Sequence, residues 1–448
     1  LVQRDSELIL MKKPDSKPAT LCMAPWTHTY LSPQTERRLC CASRESAQNF
    51  EQYIDTNEGS GKYQPASLDE HWNNEHMQSV RKRMMAGETL PECDVCNSQL
   101  LNTDVYRSYF ERMFQHKYDD IWEKTDDTGT TTMKPISWDY RFSNLCNFKC
   151  RMCGDMLSSS WEAEAKLNNM VKWDNPQNNW MKPEVRKEIS NYQDTQIEQE
   201  FNEAVEEHRV EEIYWVGGEP LMYEQHWRYM KRIVELGDGP RLYARYNSNL
   251  SRVNYKGVNL YHDILVHIRD WQMCASLDGT GQIGEYIRTG LKYDEWVDNF
   301  KQGLEIATHP RQMRIDFTLT LPGMMDVVNV QKLADELNVA ILAKVIFTFT
   351  PDIIMSPLAL PRKILDGLVD ELITNNTLGD ALKSVLLQLK NRPNMEETYP
   401  RDEYWRGMRK GKRRILALEG IRKDTLCMRE ILSANTDILN WWDSISTD

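Results

Sequence analysis

Between residues 136 and 349 the period of the apolar positions switches repeatedly between two and about three and a half. Short runs rich in β-branched and aromatic residues, at 136–142, 211–216, 242–246, 272–277, 314–321 and 344–349, have the length and composition of strands. The stretches at 223–236, 261–269, 294–307 and 327–337 place apolar residues three and four apart, as amphipathic helices do. Six strands alternating with helices predict an α/β domain with a parallel sheet, because parallel neighbours need a long crossover and a helix supplies it. A second helical region runs from 361 to 445, where ILDGLVDELI and ALKSVLLQL are amphipathic and expected to pack against the strand-bearing domain. Ahead of the strands a helix is expected at 68–86, closed by a turn at Gly87.

Composition narrows the class. The 448 residues can bury a large core and should form two or three domains. Ten cysteines gathered into groups, no signal-like leader and no long apolar run point to a reducing cytoplasm and away from a membrane. The chain opens on Leu1, which reads as a processed end. With 55 Lys and Arg against 67 Asp and Glu, the formal charge of −12 makes a broad phosphate-binding surface, and so a nucleic-acid partner, an unfavourable expectation. One run, RGMRKGKRR at 406–414, is strongly basic; it reads as a solvated helix face, or as a holder of an anionic substrate or acidic partner. Trp405, Trp441 and Trp442, among 14 tryptophans, read as core or lid.

The chemistry concentrates directly after the first strand. Cys146, Cys150 and Cys153 form a C-x3-C-x2-C triplet. Three thiolates can hold a 4Fe-4S cluster and leave one iron open to a small molecule; structural zinc, which usually takes four protein ligands, and unrelated buried cysteines are the alternatives. The second strand ends in Gly217, Gly218, Glu219 and Pro220, where glycines permit close backbone approach and a carboxylate can accept from an ammonium group. The third ends in Asn247, Ser248 and Asn249. The fourth passes through Cys274, Ala275 and Ser276 to Asp278 and Gly279, with Arg288 ten residues beyond the aspartate. Cys274 and Cys427 read as small buried hydrophobes.

In this order the motifs resemble those of the radical S-adenosylmethionine (SAM) enzymes. The resemblance implies a partial (β/α)6 TIM-like barrel with its site at the C-terminal strand ends. It implies a SAM-binding cluster on Cys146, Cys150 and Cys153, with SAM held by Gly217, Gly218, Glu219, Ser248, Asn249, Ser276, Asp278 and Arg288. Glu219 would meet the amino group of SAM, Ser276 its ribose and Arg288 its carboxylate. Reductive cleavage would yield a 5′-deoxyadenosyl radical that abstracts substrate hydrogen, the electron coming from a donor such as flavodoxin or ferredoxin. The departure is at the third strand, where the family's Thr-Asn-Gly lacks its glycine. No residue is nominated as catalytic; Cys274 and tyrosines near strand ends are possible hydrogen donors to the product radical.

The N-terminal third carries a second group: Cys22 near Pro25 and Trp26, then Cys40 and Cys41, then Cys93-x2-Cys96. By spacing alone, zinc and an iron–sulfur cluster both fit. The segment resembles the SPASM or twitch accessory domains of the same superfamily, placed before the core instead of after it. That resemblance implies one auxiliary 4Fe-4S cluster on Cys22, Cys40, Cys93 and Cys96, with Cys41 the alternative to Cys40; His28 reads as a polar residue of its loop or strand. The expected organisation is 1–116 auxiliary domain, 117–133 linker, 134–357 core and 358–448 helical extension. An insertion at 168–207 is longer than a crossover needs, and part of it is expected to cover the substrate opening. Such accessory domains imply a peptide or protein substrate; a sugar or nucleoside, or a non-catalytic iron–sulfur or zinc module, are the alternatives.

Overall fold

The computed structural model describes residues 13–45, 63–99, 106–346 and 350–447. It is a mixed α/β chain whose eight-stranded sheet has the order β8-β7-β6-β5-β4-β3-β1-β2, with β1 His28–Leu31, β2 Arg37–Arg38, β3 Ser137–Tyr140, β4 Glu212–Trp215, β5 Tyr243–Ser248, β6 Asp270–Ser276, β7 Met313–Leu319 and β8 Ala340–Val345. Residue contacts divide the chain into two compact units. One comprises Leu1–Leu145, Glu162–Arg245 and His267–Asp270; the other comprises Cys146–Trp161, Tyr246–Val266 and Trp271–Asp448.

In the first unit β1 runs parallel to β3, with His28 opposite Ser137, and β3 runs parallel to β4, with Ser137 opposite Glu212. The N-terminal cysteine segment thus donates a strand, and through the β1–β2 hairpin two, to the sheet. Residues 117–133, expected as a linker, are built into an apolar cluster: Ile121, Trp122 and Met133 pack with Leu21, Trp26, Val80, Met84, Phe110 and Phe114. The polar run KTDDTGTTT only closes a tight turn between Thr125 and Thr131. The helix expected at 68–86 is two, Leu68–Trp72 and α1 Glu75–Met85, because Asn74 caps the second by accepting from the Met77 amide.

The insertion at 168–207 is helical over Pro183–Tyr192 and Glu198–Glu206. Phe201 packs edge-on against Trp138 and Tyr229, with ring centroids 5.4 and 4.8 Å away. Buried Glu200 accepts from Arg37 Nη2 at 2.6 Å and from the Tyr140 hydroxyl at 2.8 Å. This half of the insertion is a core crossover and no lid, since covering an opening does not require burying an aromatic ring and an ion pair.

In the second unit β6 and β7 are parallel, with Cys274 opposite Arg314 and Ser276 opposite Asp316, and β7 and β8 are parallel, with Thr318 opposite Lys344. The last strand sits at Ala340–Val345 instead of 344–349, and residues 347–349 of that expectation lie outside the described residues. Exposed Ala340, Leu342 and Lys344 on alternate positions give it the weak pattern of an edge strand, hidden from a search for apolar runs. At 261–269 a π-turn, Leu260–Ile264, and a 3-10 turn, Leu265–His267, replace the expected helix. The tail is helical as expected, including α2 Arg362–Asn375, α3 Asp380–Asn391, α4 Arg401–Arg422 and α5 Thr436–Ser444. No helix among the described residues is long and apolar enough to cross a membrane.

Candidate metal and cofactor site

The loop that carries the cysteine triplet is held by its own carbonyl oxygens. Ser158 Oγ donates to the Phe148 carbonyl at 2.6 Å, Ser160 Oγ to that of Cys146 at 2.7 Å, and Trp161 Nε1 to that of Cys150 at 2.7 Å. Ser159 Oγ accepts from the Cys146 amide at 3.2 Å, and a turn brings the Cys153 amide onto the Cys150 carbonyl at 3.0 Å. These bonds hold the main chain of the loop, and the Cys146 sulfur itself accepts from the Phe148 amide at 3.4 Å. Burial pushes the Cys150 thiol well up; Arg288 pulls it back, and the neighbouring Cys153 and Cys146 sulfurs add to the rise.

Arg288 reaches the same point from the other side of the sequence. Residues Arg288–Thr289 pair antiparallel with Lys149–Cys150, Arg288 directly opposite Cys150, and Nη1 lies 3.8 Å from the Cys150 sulfur. Its Nε forms an ion pair with Asp278 Oδ2 at 2.6 Å, and Asp278 Oδ1 accepts from the Thr318 amide at 2.8 Å. Burial opposes the guanidinium charge, but Asp278 and Cys150 hold its pKa above the usual arginine range. Asp278, expected to face the cofactor, therefore faces Arg288.

Asn249 also touches the triplet: Nδ2 is 3.8 Å from Cys146 Sγ and donates to Asn147 Oδ1 at 3.0 Å. Ser248 accepts from the Leu250 amide at 2.9 Å. Leu250 has φ +52°, the left-handed conformation that a glycine takes without strain. Ser276 stands on β6 beside Asp316 of β7. Asp316, 2% exposed, accepts from Asn247 Nδ2 at 3.1 Å and Lys344 Nζ at 2.8 Å. Sequence reasoning passed over Asp316 and Lys344; the signal was a carboxylate in the middle of the strand run RIDFTLTL.

In the first unit the Gly-Gly-Glu-Pro turn packs on the chain just ahead of the triplet. A side chain at Gly218 would place its Cβ 2.3 Å from the Leu145 carbonyl oxygen, and the Glu219 amide donates to that oxygen at 2.7 Å. Gly217, at φ +131°, lies under the Tyr223 hydroxyl, which donates to the Ser143 carbonyl at 2.6 Å and accepts from the Gly218 amide. Glu219 is 1% exposed and accepts from the Leu221 amide at 3.0 Å. The close approach that Gly218 permits is to Asn144 and Leu145, and that of Gly217 is to Tyr223 and Arg141.

The N-terminal cysteines Cys22, Cys40, Cys93 and Cys96 line one hollow with Tyr106 and Arg107. Burial pushes the Cys22 thiol up to about 12 and the Cys93 thiol up to about 11. Cys41 does not line the hollow; it is hydrogen-bonded to Tyr106 and feels Asp139 and Arg141. His28 is also outside it, its Nδ1 2.7 Å from Ser137 Oγ and its ring against Phe110. The donor set suits a soft, thiophilic group. Among the described residues no three His, Cys, Asp or Glu side chains form a group that could hold a metal ion. Of the remaining thiols, Cys274 accepts from Arg314 Nε at 3.1 Å, and Cys427 caps the helix Met428–Leu432.

No known protein-family profile matches the chain, and no curated protein matches it. Among solved structures the chain is similar to SuiB of Streptococcus suis. For SuiB bound to S-adenosylmethionine the identity is 13%, with a TM-score of 0.33, 67% of this chain and 60% of that chain being covered. For SuiB bound to its precursor peptide SuiA the identity is 15%, with a TM-score of 0.34, 70% of this chain and 65% of that one being covered. The match thus spans under two thirds of the length of either chain of SuiB.

Proposed function

We propose that this chain is a radical SAM enzyme, with strands β3 to β8 forming the family's partial barrel and Cys146, Cys150 and Cys153 holding a 4Fe-4S cluster. The observation that carries the reading is the braced triplet loop with a buried, charged Arg288 at the Cys150 sulfur. A cluster held by Cys146, Cys150 and Cys153 would supply the one-electron reduction that cleaves SAM and so the means to take hydrogen from an unactivated carbon.

The work of the chain is to bind, orient and shield. Arg288 presents a guanidinium suited to a carboxylate, and Asp278 keeps it charged and aimed. Asn249 and Ser158 to Trp161 fix the loop, so the thiolates do not have to reorganise. The polar face of Asn247, Ser276, Asp316 and Lys344 orients the substrate. The N-terminal hollow takes an auxiliary cluster on Cys22, Cys40, Cys93 and Cys96, as in the SPASM or twitch domains that the segment resembles. By that resemblance the substrate is a peptide or protein; the grouped cysteines favour a reducing compartment, the cytoplasm.

Anaerobic reconstitution with iron and sulfide tests this. About eight irons per chain and dithionite-dependent conversion of SAM to 5′-deoxyadenosine are expected. Zinc in either site, or intact SAM after reduction, would count against it. Cys150→Ala should abolish cleavage and keep about four irons, those of the N-terminal site.

A further inference from the structure

The basic run at 406–414 is the one motif that this mechanism leaves unused. It lies in α4, where Tyr404, Gly407, Met408, Gly411, Lys412, Ile415 and Leu418 are buried, so the opposite side of the helix faces solvent. At 100° per residue, Arg406, Arg409, Lys410, Arg413 and Arg414 fall on that side. Arg406, Lys410, Arg413 and Arg414 are exposed and Arg409 half-buried; between Trp405 and Leu418 the helix itself carries no carboxylate, and Lys410 Nζ is paired with Asp352 Oδ2 at 2.5 Å, which leaves the arginines as the net charge of the face. Lys412, the sixth cation, is withdrawn inward and donates to the Trp442 and Ile445 carbonyls at 2.7 and 2.9 Å. On a chain of charge −12 this is a local reversal of sign.

The same helix grips the triplet loop. Arg422 Nη1 donates to the Lys149 carbonyl at 2.9 Å and to Thr289 Oγ1 at 3.1 Å. The Arg422 and Arg414 guanidinium carbons lie 4.7 and 5.7 Å from the centroid of the Trp161 ring, whose Nε1 donates to the Cys150 carbonyl. Just beyond α4, Asp424 pairs with Arg151, which stacks on Tyr286 with its guanidinium carbon 3.7 Å from the ring centroid. Contiguous side chains therefore run from the cationic surface, through Arg414 and Trp161, to the main chain of Cys150. They meet the loop at its carbonyls, not at the thiols or at the Arg288–Asp278 pair where a reacting substrate would be held.

We infer that the cationic face of α4 is the docking surface for a small acidic one-electron carrier, and that Arg406, Arg409 and Arg413 steer it to the triplet loop. The inference rests on the radical SAM reading. In the transfer the reduced flavin or iron–sulfur centre of the carrier loses one electron and the cluster held by the triplet gains it; no bond or proton moves. Opposite charge raises the encounter rate and orients the pair, and its contribution falls with ionic strength. A flavodoxin and a plant-type ferredoxin share the required acidity and are the two sources to compare.

The test is the affinity of the reconstituted full chain for purified flavodoxin and, separately, ferredoxin, measured by interferometry at low and raised salt. At low salt, Arg406→Glu/Arg409→Glu/Arg413→Glu should weaken binding of at least one carrier by about tenfold or more, and raised salt should remove most of the difference. The milder Arg406→Gln/Arg409→Gln/Arg413→Gln should fall between, guarding against a fold defect in the reversed variant. SAM cleavage driven by dithionite, which needs no docking, should match wild type in both. Equal affinity of wild type and reversed variant for both carriers overturns the inference. So does reversal that abolishes binding of an acidic peptide and leaves both carriers bound, which would make the face a substrate surface. Failure of wild type to cleave SAM with dithionite would instead remove the radical SAM reading, whatever the carriers do.

Discussion

Arg288 and Cys150 are cross-strand partners on a two-residue antiparallel bridge, and the guanidinium Nη1 stands 3.8 Å from the thiol sulfur although 138 positions separate them in the chain. The bridge ties the position of the arginine to that of the triplet. Arg288→Ala should lower dithionite-driven SAM cleavage by about a hundredfold or more, with triplet-bound iron retained. Arg288→Lys should restore little, because an ammonium lacks the planar fork. Asp278→Asn should cost about 3 kcal/mol of stability by stranding a buried cation; urea unfolding together with SAM titration measures both effects.

Trp161 links the loop to α4 by its ring and to Cys150 by its Nε1. Trp161→Phe keeps an aromatic surface for Arg422 and removes the donor to a buried carbonyl, a loss of about 1–3 kcal/mol. The expected readout is faster loss of the triplet's iron to a chelator, with the N-terminal iron unchanged. Equal rates for variant and wild type would remove the brace from the account.

Two positions test backbone conformation in opposite senses. Gly218→Ala puts a Cβ 2.3 Å from the Leu145 carbonyl oxygen and should cost more than about 2 kcal/mol. Leu250 is fully buried at φ +52°. Truncation there loses apolar burial, about 2–5 kcal/mol, and only glycine recovers the 1–2 kcal/mol or so of left-handed strain. Leu250→Gly should therefore be as stable as Leu250→Ala or more so, the reverse of their usual order; chemical denaturation of the pair decides it.

His28, His71 and His226 are buried, and burial holds each at a pKa of about 3. They fold neutral, so as pH falls below about 6.5 the unfolded chain takes up protons that the folded chain refuses, and stability drops until the folded pKa is passed. At pH 5 each contributes a loss of about 2 kcal/mol relative to pH 8. His76 acts in the other direction: its hydrogen bond to Glu45 raises its pKa, so its contribution is complete below the unfolded pKa and fades as pH rises through the folded one. His226→Phe, lying between Trp215 and Trp227, should remove one share of the acid sensitivity; denaturation at pH 8 and pH 5 checks it.

Five of the six expected core strands, and the helices Glu224–Glu235, Tyr293–Ile306 and Val327–Leu337, lie within a few residues of where the apolar periods placed them. Failures came where the apolar pattern was overruled, by a partner distant in sequence or by a side chain competing locally for the backbone. The run 117–133 looks like a linker until Ile121, Trp122 and Met133 meet Trp26 and Phe110. The helix expected at 261–269 gives way because Asn259 accepts from the Tyr261 and His262 amides and starts a different turn. Asp316 was not singled out because a carboxylate in a strand pattern acquires meaning only from Lys344 and Asn247 beside it.

By itself the sequence determined what covalent proximity can: three thiols within eight residues, glycines at the end of β4, and the alternating strand and helix periods. These depend on neighbours two to four positions away, where geometry follows from the backbone alone. Tertiary structure decided that Arg288 stands on Cys150, that Cys40 faces the hollow while Cys41 turns to Tyr106, and that Arg422 reaches Lys149 across 273 positions. Such contacts form only when the loss of loop entropy is outweighed by packing contributed by the rest of the chain.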